Sequence, residues 1–377
     1  MNWIKRYYEN DLLNDSVKGK ITVIYGPRQV GKTSLVNKAL EKTSLKIFRG
    51  SGEDFDLRDI LESQRLSVLK NAFSGYDILF IDEAQFVRKI GLILKLIIDS
   101  MPKLRVIATG SSSFELSGMI SEPLTGRMNV KFLFPISILE LNNCHGGAFI
   151  LQQLENLLIY GLYPEVLNTG KKEEKIDILH SFRDSYLFKD ILALENIRNP
   201  EKLISLLRLI AFQIGSEVSL NELSNSLNIA NKTVERYLDL LEKTFVIKKI
   251  SGFSRNLRSE VTKTCRYYFW DNGIRNSVIN NFNMINARND IGALWENFLV
   301  MERLKKQNYM KIYSNNYFWR TYNKSEVDFV EERDGRLFGY EFKWGKKVPK
   351  APKKWVETYE NSEYIVINKD NFFDFVT

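Results

Sequence analysis

The run "GPRQVGKT" (26–33) follows the apolar stretch "ITVIY" and precedes the helical pattern "SLVNKAL". The spacing G-x-x-x-x-G-K-[ST] between a strand and a helix is that of a phosphate-cradling loop, the P-loop. Gly26 and Gly31 let backbone N–H groups turn inward around anionic oxygens, and the helix start adds partial positive charge. Lys32 is placed to reach the outer phosphates, and the Thr33 hydroxyl to reach a magnesium ion. The residues Gly26, Pro27, Arg28, Gln29, Val30, Gly31, Lys32, Thr33 and Ser34 are therefore the candidate contacts for ATP and Mg²⁺.

Further on, "ILFIDEAQ" (78–85) sets four apolar residues before two acids. Asp82, at the end of such a strand, is a candidate Mg²⁺ ligand. Glu83 is a candidate catalytic base for an attacking water, with Lys32 as its catalytic partner. The strand "LRVIAT" runs into "TGSSS", which makes Thr109 and Ser111 candidate sensors of the terminal phosphate, since ligands bind beyond the carboxyl ends of such strands. Arg127, in "LTGRMNV", is a candidate phosphate contact or a contact to a neighbouring subunit.

A second set of chemistry-bearing residues lies near the C-terminus, in "SEVDFVEERDGRLFGYEFKWGKK" (325–347). Asp334-Gly335 is a hairpin signal between two strands. Alternation puts Glu326 and Asp328 on one face, Glu341 and Lys343 on another, and Phe329 and Phe342 on the buried sides. If the hairpin stacks these faces, three carboxylates and a lysine converge. Clustered acids bind Mg²⁺, which activates water for phosphodiester cleavage. Candidate metal ligands are Asp328, Glu341 and, from the preceding helix, Glu296; Glu341 and Lys343 are the candidate catalytic pair. The plainer alternative is that Lys343 simply pairs with Glu341 or Asp328. Lys343, Lys346, Lys347, Lys350, Lys353 and Lys354 form a basic strip alongside.

These residues need elements to position them. Strands are expected at "ITVIY", "LKIFR", "DILFI", "LRVIAT" and "VKFLF", mostly continuous apolar runs of the kind buried on both faces of a parallel sheet. Helices between them make residues 1–145 an α/β P-loop domain. Residues 146–200 read as a helical connector. Residues 201–282 read as a winged helix-turn-helix. There "SLNELSNSLNIANKTVERYLDLLEK" supplies two helices with Leu220, Leu223, Leu227, Ile229, Val234, Leu238 and Leu241 inward and a capping box at Ser219 and Glu222. Lys232, Thr233 and Arg236 open the second helix, where such helices meet a DNA groove. Lys248, Lys249, Arg255, Arg258, Lys263 and Arg266 in the wing suit phosphate contact. Residues 283–377 read as a C-terminal α/β domain, with a helix, "IGALWENFLVMERLKKQ", and strands "KIYSNN", "EVDFVEE", "LFGYEFKW" and "EYIVIN".

Bulk composition narrows the classes. The net charge of +8 falls mostly in residues 201–377, where 28 Lys+Arg face 22 Asp+Glu, a balance that permits a nucleic-acid partner. Two cysteines and two histidines leave no disulfide framework and nearly exclude a Cys/His zinc site, which fits a cytoplasmic location. "IGLILKLII" (90–98) is too short for a membrane span and reads as a core helix.

The segments "GPRQVGKTSL", "ILFIDEAQ", "ATGSSS", "LTGRMNVKFLFPISILE" and "YGLYPEVL" together resemble a prokaryotic family of AAA-superfamily P-loop ATPases with a C-terminal domain of unknown function. The resemblance implies a sheet in which the Asp82 strand does not neighbour the P-loop strand. Glu296, Asp328, Glu341 and Lys343 resemble the PD-(D/E)xK nuclease pattern, without its usual proline before the aspartate. The fold class expected is thus a P-loop NTPase sheet, then a winged-helix domain, then a nuclease-like domain. The function expected is ATP hydrolysis coupled to engagement of double-stranded DNA. The alternative is an ATP-driven switch acting on a protein partner or by self-association, with an inert C-terminal site.

Overall fold

The computed structural model describes residues 3–110, 126–185, 197, 199–254, 265–321 and 325–377. Two compact units divide the chain: Lys5–Phe134 with Lys243–Phe245, and Met1–Ile4 with Pro135–Glu242 and Val246–Thr377.

The first unit is built on a sheet of β1 (Ile21–Tyr25), β2 (Ile47–Ser51), β3 (Ile78–Asp82), β4 (Arg105–Gly110) and β5 (Met128–Phe132), all parallel, in the order β2-β3-β4-β1-β5. The inner strands are buried almost throughout, which explains why their sequences carry unbroken apolar runs rather than alternation. β4 lies between β3 and β1, as the resemblance implies. The register sets Tyr25 beside Gly110 and Ile81 beside Ala108, so the carboxyl ends of β1, β3 and β4 line up. Helix Ile90–Ser100 buries Ile90, Ile93, Leu94, Ile97 and Ile98. Among the described residues no helix is long and apolar enough to cross a membrane.

The second unit begins with helices Ile138–His145, Gly147–Tyr160, Pro164–Asn168, Lys172–Phe182 and Pro200–Phe212. Gly161, at φ +77, ends the second of these. A Cβ there would overlap the buried Asp271 carboxylate, which accepts from Leu162 N at 2.7 Å and Ile274 N at 3.1 Å. Only glycine fits both the left-handed turn and that approach. Helices Leu220–Leu227 and Asn231–Lys243 follow, with Leu223, Leu227, Val234, Leu238 and Leu241 buried. Ser219 caps the first through Glu222 N, while the Glu222 carboxylate accepts from Gln213.

Seven strands then form one sheet: β6 (Glu217–Val218), β7 (Ile247–Gly252), β8 (Cys265–Phe269), β9 (Asn315–Arg320), β10 (Glu326–Arg333), β11 (Arg336–Phe342) and β12 (Ser362–Ile367), in the order β12-β11-β10-β9-β7-β8-β6. The β7–β8 hairpin therefore continues, through a β7–β9 pairing, into the C-terminal strands across the boundary expected at 282/283. The strand expected at "KIYSNN" begins only at Asn315, because helix Ile291–Met310 runs longer than its apolar pattern and Lys311 caps it at φ 56. That helix is tied to β8 by Asn297, whose amide accepts from Phe269 N at 2.7 Å and donates to Phe269 O at 2.9 Å.

Candidate active site

The P-loop leaves β1 at Gly26 and enters helix Lys32–Leu40 through Gly31, which has φ 90. A Cβ on Gly26 would overlap the Leu133 carbonyl oxygen, so this turn requires glycine for space as well as for φ. Lys32 is buried, its ammonium donating to Gly26 O at 3.0 Å and Pro27 O at 2.7 Å. Burial brings its pKa down to about 8, opposed by Glu83 and Asp82 and assisted by Arg28. Gln29, exposed, takes φ 62, and Ser34 is exposed in the first helical turn.

Thr33 points at the acids. Its hydroxyl lies 2.8 Å from one Asp82 oxygen and 3.0 Å from the other. A hydroxyl and a carboxylate this close offer the oxygen donors that a hard divalent cation takes, so these two residues fit Mg²⁺. Thr109 is fully buried at the end of β4, where its hydroxyl donates to Asp82 and accepts from Glu83 N at 3.1 Å. Thr109, the expected phosphate sensor, is hydrogen-bonded to both acids. Glu83 adopts φ 46, and its carboxylate accepts from the Gln85 amide within the short turn Ala84–Phe86.

Arg6 was not visible as a site residue in the sequence. It is buried and donates to Val30 O in the P-loop and, at 2.7 Å, to Phe134 O. A loop that turns its N–H groups inward points carbonyls outward, and Arg6 satisfies one of them. Arg127 is half-exposed and pairs with Asp99. Ser111 lies outside the described residues.

Residues 18–142 match a family model described as a AAA domain. The first unit is an AAA-type P-loop domain. Residues 151–284 and 291–376 match two domains of unknown function, DUF8612 and DUF4143. An uncharacterized protein of Mycobacterium tuberculosis is 26% identical over 86% of this chain and 70% of its own length. One of Methanocaldococcus jannaschii is 26% identical over 83% and 72%. Among solved structures, a Walker-type ATPase of Pyrococcus abyssi aligns with 74% of this chain and 96% of its own at 17% identity and a TM-score of 0.48. The Thermotoga maritima RuvB Holliday junction branch migration motor covers 65% and 89% at 17% identity and a TM-score of 0.32. Both scores lie below 0.5, so the assignment stands on the AAA match and the site geometry.

In the second unit the expected hairpin forms, with Asp334 and Gly335 at positive φ between β10 and β11. Phe329 and Phe342 are buried. Glu296, Asp328, Glu341 and Lys343 are brought together, and an arginine enters beside Glu296 and Asp328. Arg266 of β8, 97% buried, sets Nη1 3.3 Å from Glu296 Oε1 and 3.9 Å from Asp328 Oδ1, and Nη2 3.1 Å from Glu326 Oε2. Two neutral donors also serve these acids: Tyr268 donates to Glu296 Oε1 at 2.7 Å and Phe342 N to Asp328 Oδ2 at 2.8 Å, while Glu341 Oε2 is buried without a hydrogen-bond partner among the described residues. Lys343 lies 2.6 Å from Glu341.

Burial, with Glu296 and Glu341 nearby, pushes the Asp328 pKa well up; burial likewise raises that of Glu296. Among the described residues no group of three or more His, Cys, Asp or Glu side chains is arranged to hold a metal ion. The expected ligand set thus does not fit Mg²⁺ in this arrangement. Arg266, expected as a phosphate contact of the wing, is instead buried among acids. Its signal in the sequence was a lone charge in the otherwise apolar and aromatic run "CRYYFW". Lys248 pairs with Glu242 at 2.7 Å, while Arg255, Arg258 and Lys263 lie outside the described residues.

Proposed function

We propose that this protein is a Mg²⁺-dependent ATPase that uses ATP to drive its second unit. One observation carries the reading: Thr33, Asp82, Glu83 and Thr109 form a hydrogen-bonded group at the carboxyl ends of β3 and β4, next to the P-loop. The Lys32 ammonium transfers its bonds from the loop carbonyls to phosphate oxygens. Thr33 and Asp82 would hold Mg²⁺, which neutralises charge on the phosphates when bound. Glu83, fixed by Gln85 and by its own N–H on Thr109, orients the attacking water. Lys32→Ala is expected to abolish phosphate release; unchanged turnover rejects the site.

The output we propose is nucleotide-dependent engagement of double-stranded DNA. Lys232 and Arg236 are exposed on helix Asn231–Lys243, and Lys346, Lys347, Lys350, Lys353 and Lys354 are exposed beside the C-terminal cluster. A second reading, a switch on a protein partner with an inert C-terminal site, draws support from Arg266 among the carboxylates. DNA affinity over a salt series separates the two: log–log weakening supports DNA, and no salt-dependent binding supports the partner. Plasmid left intact in Mg²⁺ or Mn²⁺ by wild type and by Asp328→Ala alike would fit the inert site.

A further inference from the structure

We infer that Arg266 is the resident cation of the C-terminal carboxylate cluster, an internal counter-ion standing where a divalent metal would have to stand. The inference is independent of the ATPase reading, and a chain that hydrolyses no ATP would leave it intact.

The guanidinium engages acids from two elements besides its own strand: Glu296 of helix Ile291–Met310, and Glu326 and Asp328 of β10. Its planar fork presents donors to several carboxylate oxygens in a fixed geometry that a flexible ammonium does not share. Phe318 of β9 packs against it, with the guanidinium carbon 4.6 Å from the ring centroid, and fixes the side chain in place. Around this core the positive charge is further supplied by Lys343, which sits on Glu341, and more weakly by Arg320, which lies 3.9 Å from Glu326 and is held more closely by Glu217 at 2.5 Å. A divalent ion arriving beside Arg266 would face a fixed positive charge, with Glu296 Oε1, Glu326 Oε2 and Asp328 Oδ2 already accepting hydrogen bonds and Glu341 Oε2 left buried without a donor among the described residues. Buried acids stripped of a cationic partner are strongly unfavourable as carboxylates, so they either take up a proton or take whichever cation is built in or bound. Here the cation is built in, on β8. The same contacts hold β8 against β10 and the helix, so the cluster acts as a lock within the second unit and not as a hydrolytic centre.

Manganese titration of the full-length, nucleotide-free protein, followed by electron paramagnetic resonance, tests this. Wild type and Asp328→Asn are expected to take up Mn²⁺ alike, within about twofold, any uptake at Asp82 being common to both. Arg266→Met is expected to create a site at least about tenfold tighter, which the added Asp328→Asn change removes. Wild-type uptake that weakens about tenfold or more in Asp328→Asn overturns the inference, as does a folded Arg266→Met protein with no gain. If Arg266→Met does not fold, Arg266→Lys and the wild-type comparison decide. Asp328-dependent Mn²⁺ uptake by either overturns the inference, and its absence from both supports it.

Discussion

The chain gathers acids at strand ends twice, and the two gatherings differ in the charge of what surrounds them. Asp82 accepts from two neutral hydroxyls, Thr33 and Thr109. The acids around Asp328 face a guanidinium and an ammonium. Neutral donors orient a carboxylate and leave its charge to be met by a cation that comes with a ligand. Cationic donors meet that charge permanently. The counting of carboxylates, which looks the same in both places, therefore separates nothing; an arginine ion-paired among them does.

The contrast can be broken from either side. Glu83→Gln carries the largest expected effect: kcat falls about 10²–10⁴-fold while nucleotide binding, read by a fluorescent analogue, persists. At the other site, Arg266→Leu leaves acids buried without their partner and lowers unfolding free energy by about 3–5 kcal/mol in urea titrations; a loss near zero would mean the acids are held some other way. Thr109→Val removes a buried hydroxyl from between Asp82 and Glu83, and about a tenfold fall in kcat is expected, with a smaller change in KM.

The last effect is a pH dependence. Burial leaves the Lys32 pKa at about 8, and the protonated form is the one that meets phosphate. Above about pH 8, ATP binding must then take up a proton, so affinity drops by up to about tenfold per pH unit. Calorimetry in buffers of different ionisation enthalpy should show that uptake at pH 9 and lose it at pH 6.5. Equal proton uptake at both values would remove Lys32 as its source.

Much of the first unit was legible because each local signal agreed with the next. "ITVIY", the glycines of "GPRQVGKT" and the acids of "ILFIDEAQ" name their own positions, and buried parallel strands advertise themselves as apolar runs. What stayed hidden were partners brought from far along the chain. Arg6 reaches Val30 and Phe134, Thr109 reaches Asp82, and Arg266 reaches Glu296 and Asp328. No spacing rule links residues that meet only through sheet order. In the C-terminal region periodicity found the hairpin and buried Phe329 and Phe342 correctly. It could not say which charged side chain would enter from β8, a strand of the wing.

The continuous seven-stranded sheet has a practical consequence for anyone dividing the chain. Among the strand pairings, the short β7–β9 one, Ser251 with Tyr317 and Gly252 with Phe318, joins the wing strands to the C-terminal ones. A fragment starting near residue 283 would bare the edge of β9, and one ending near 282 would bare the edge of β7. Unpaired edges of this kind recruit foreign strands, so both pieces should self-associate more than the intact 135–377 segment, which keeps β7 and β9 paired.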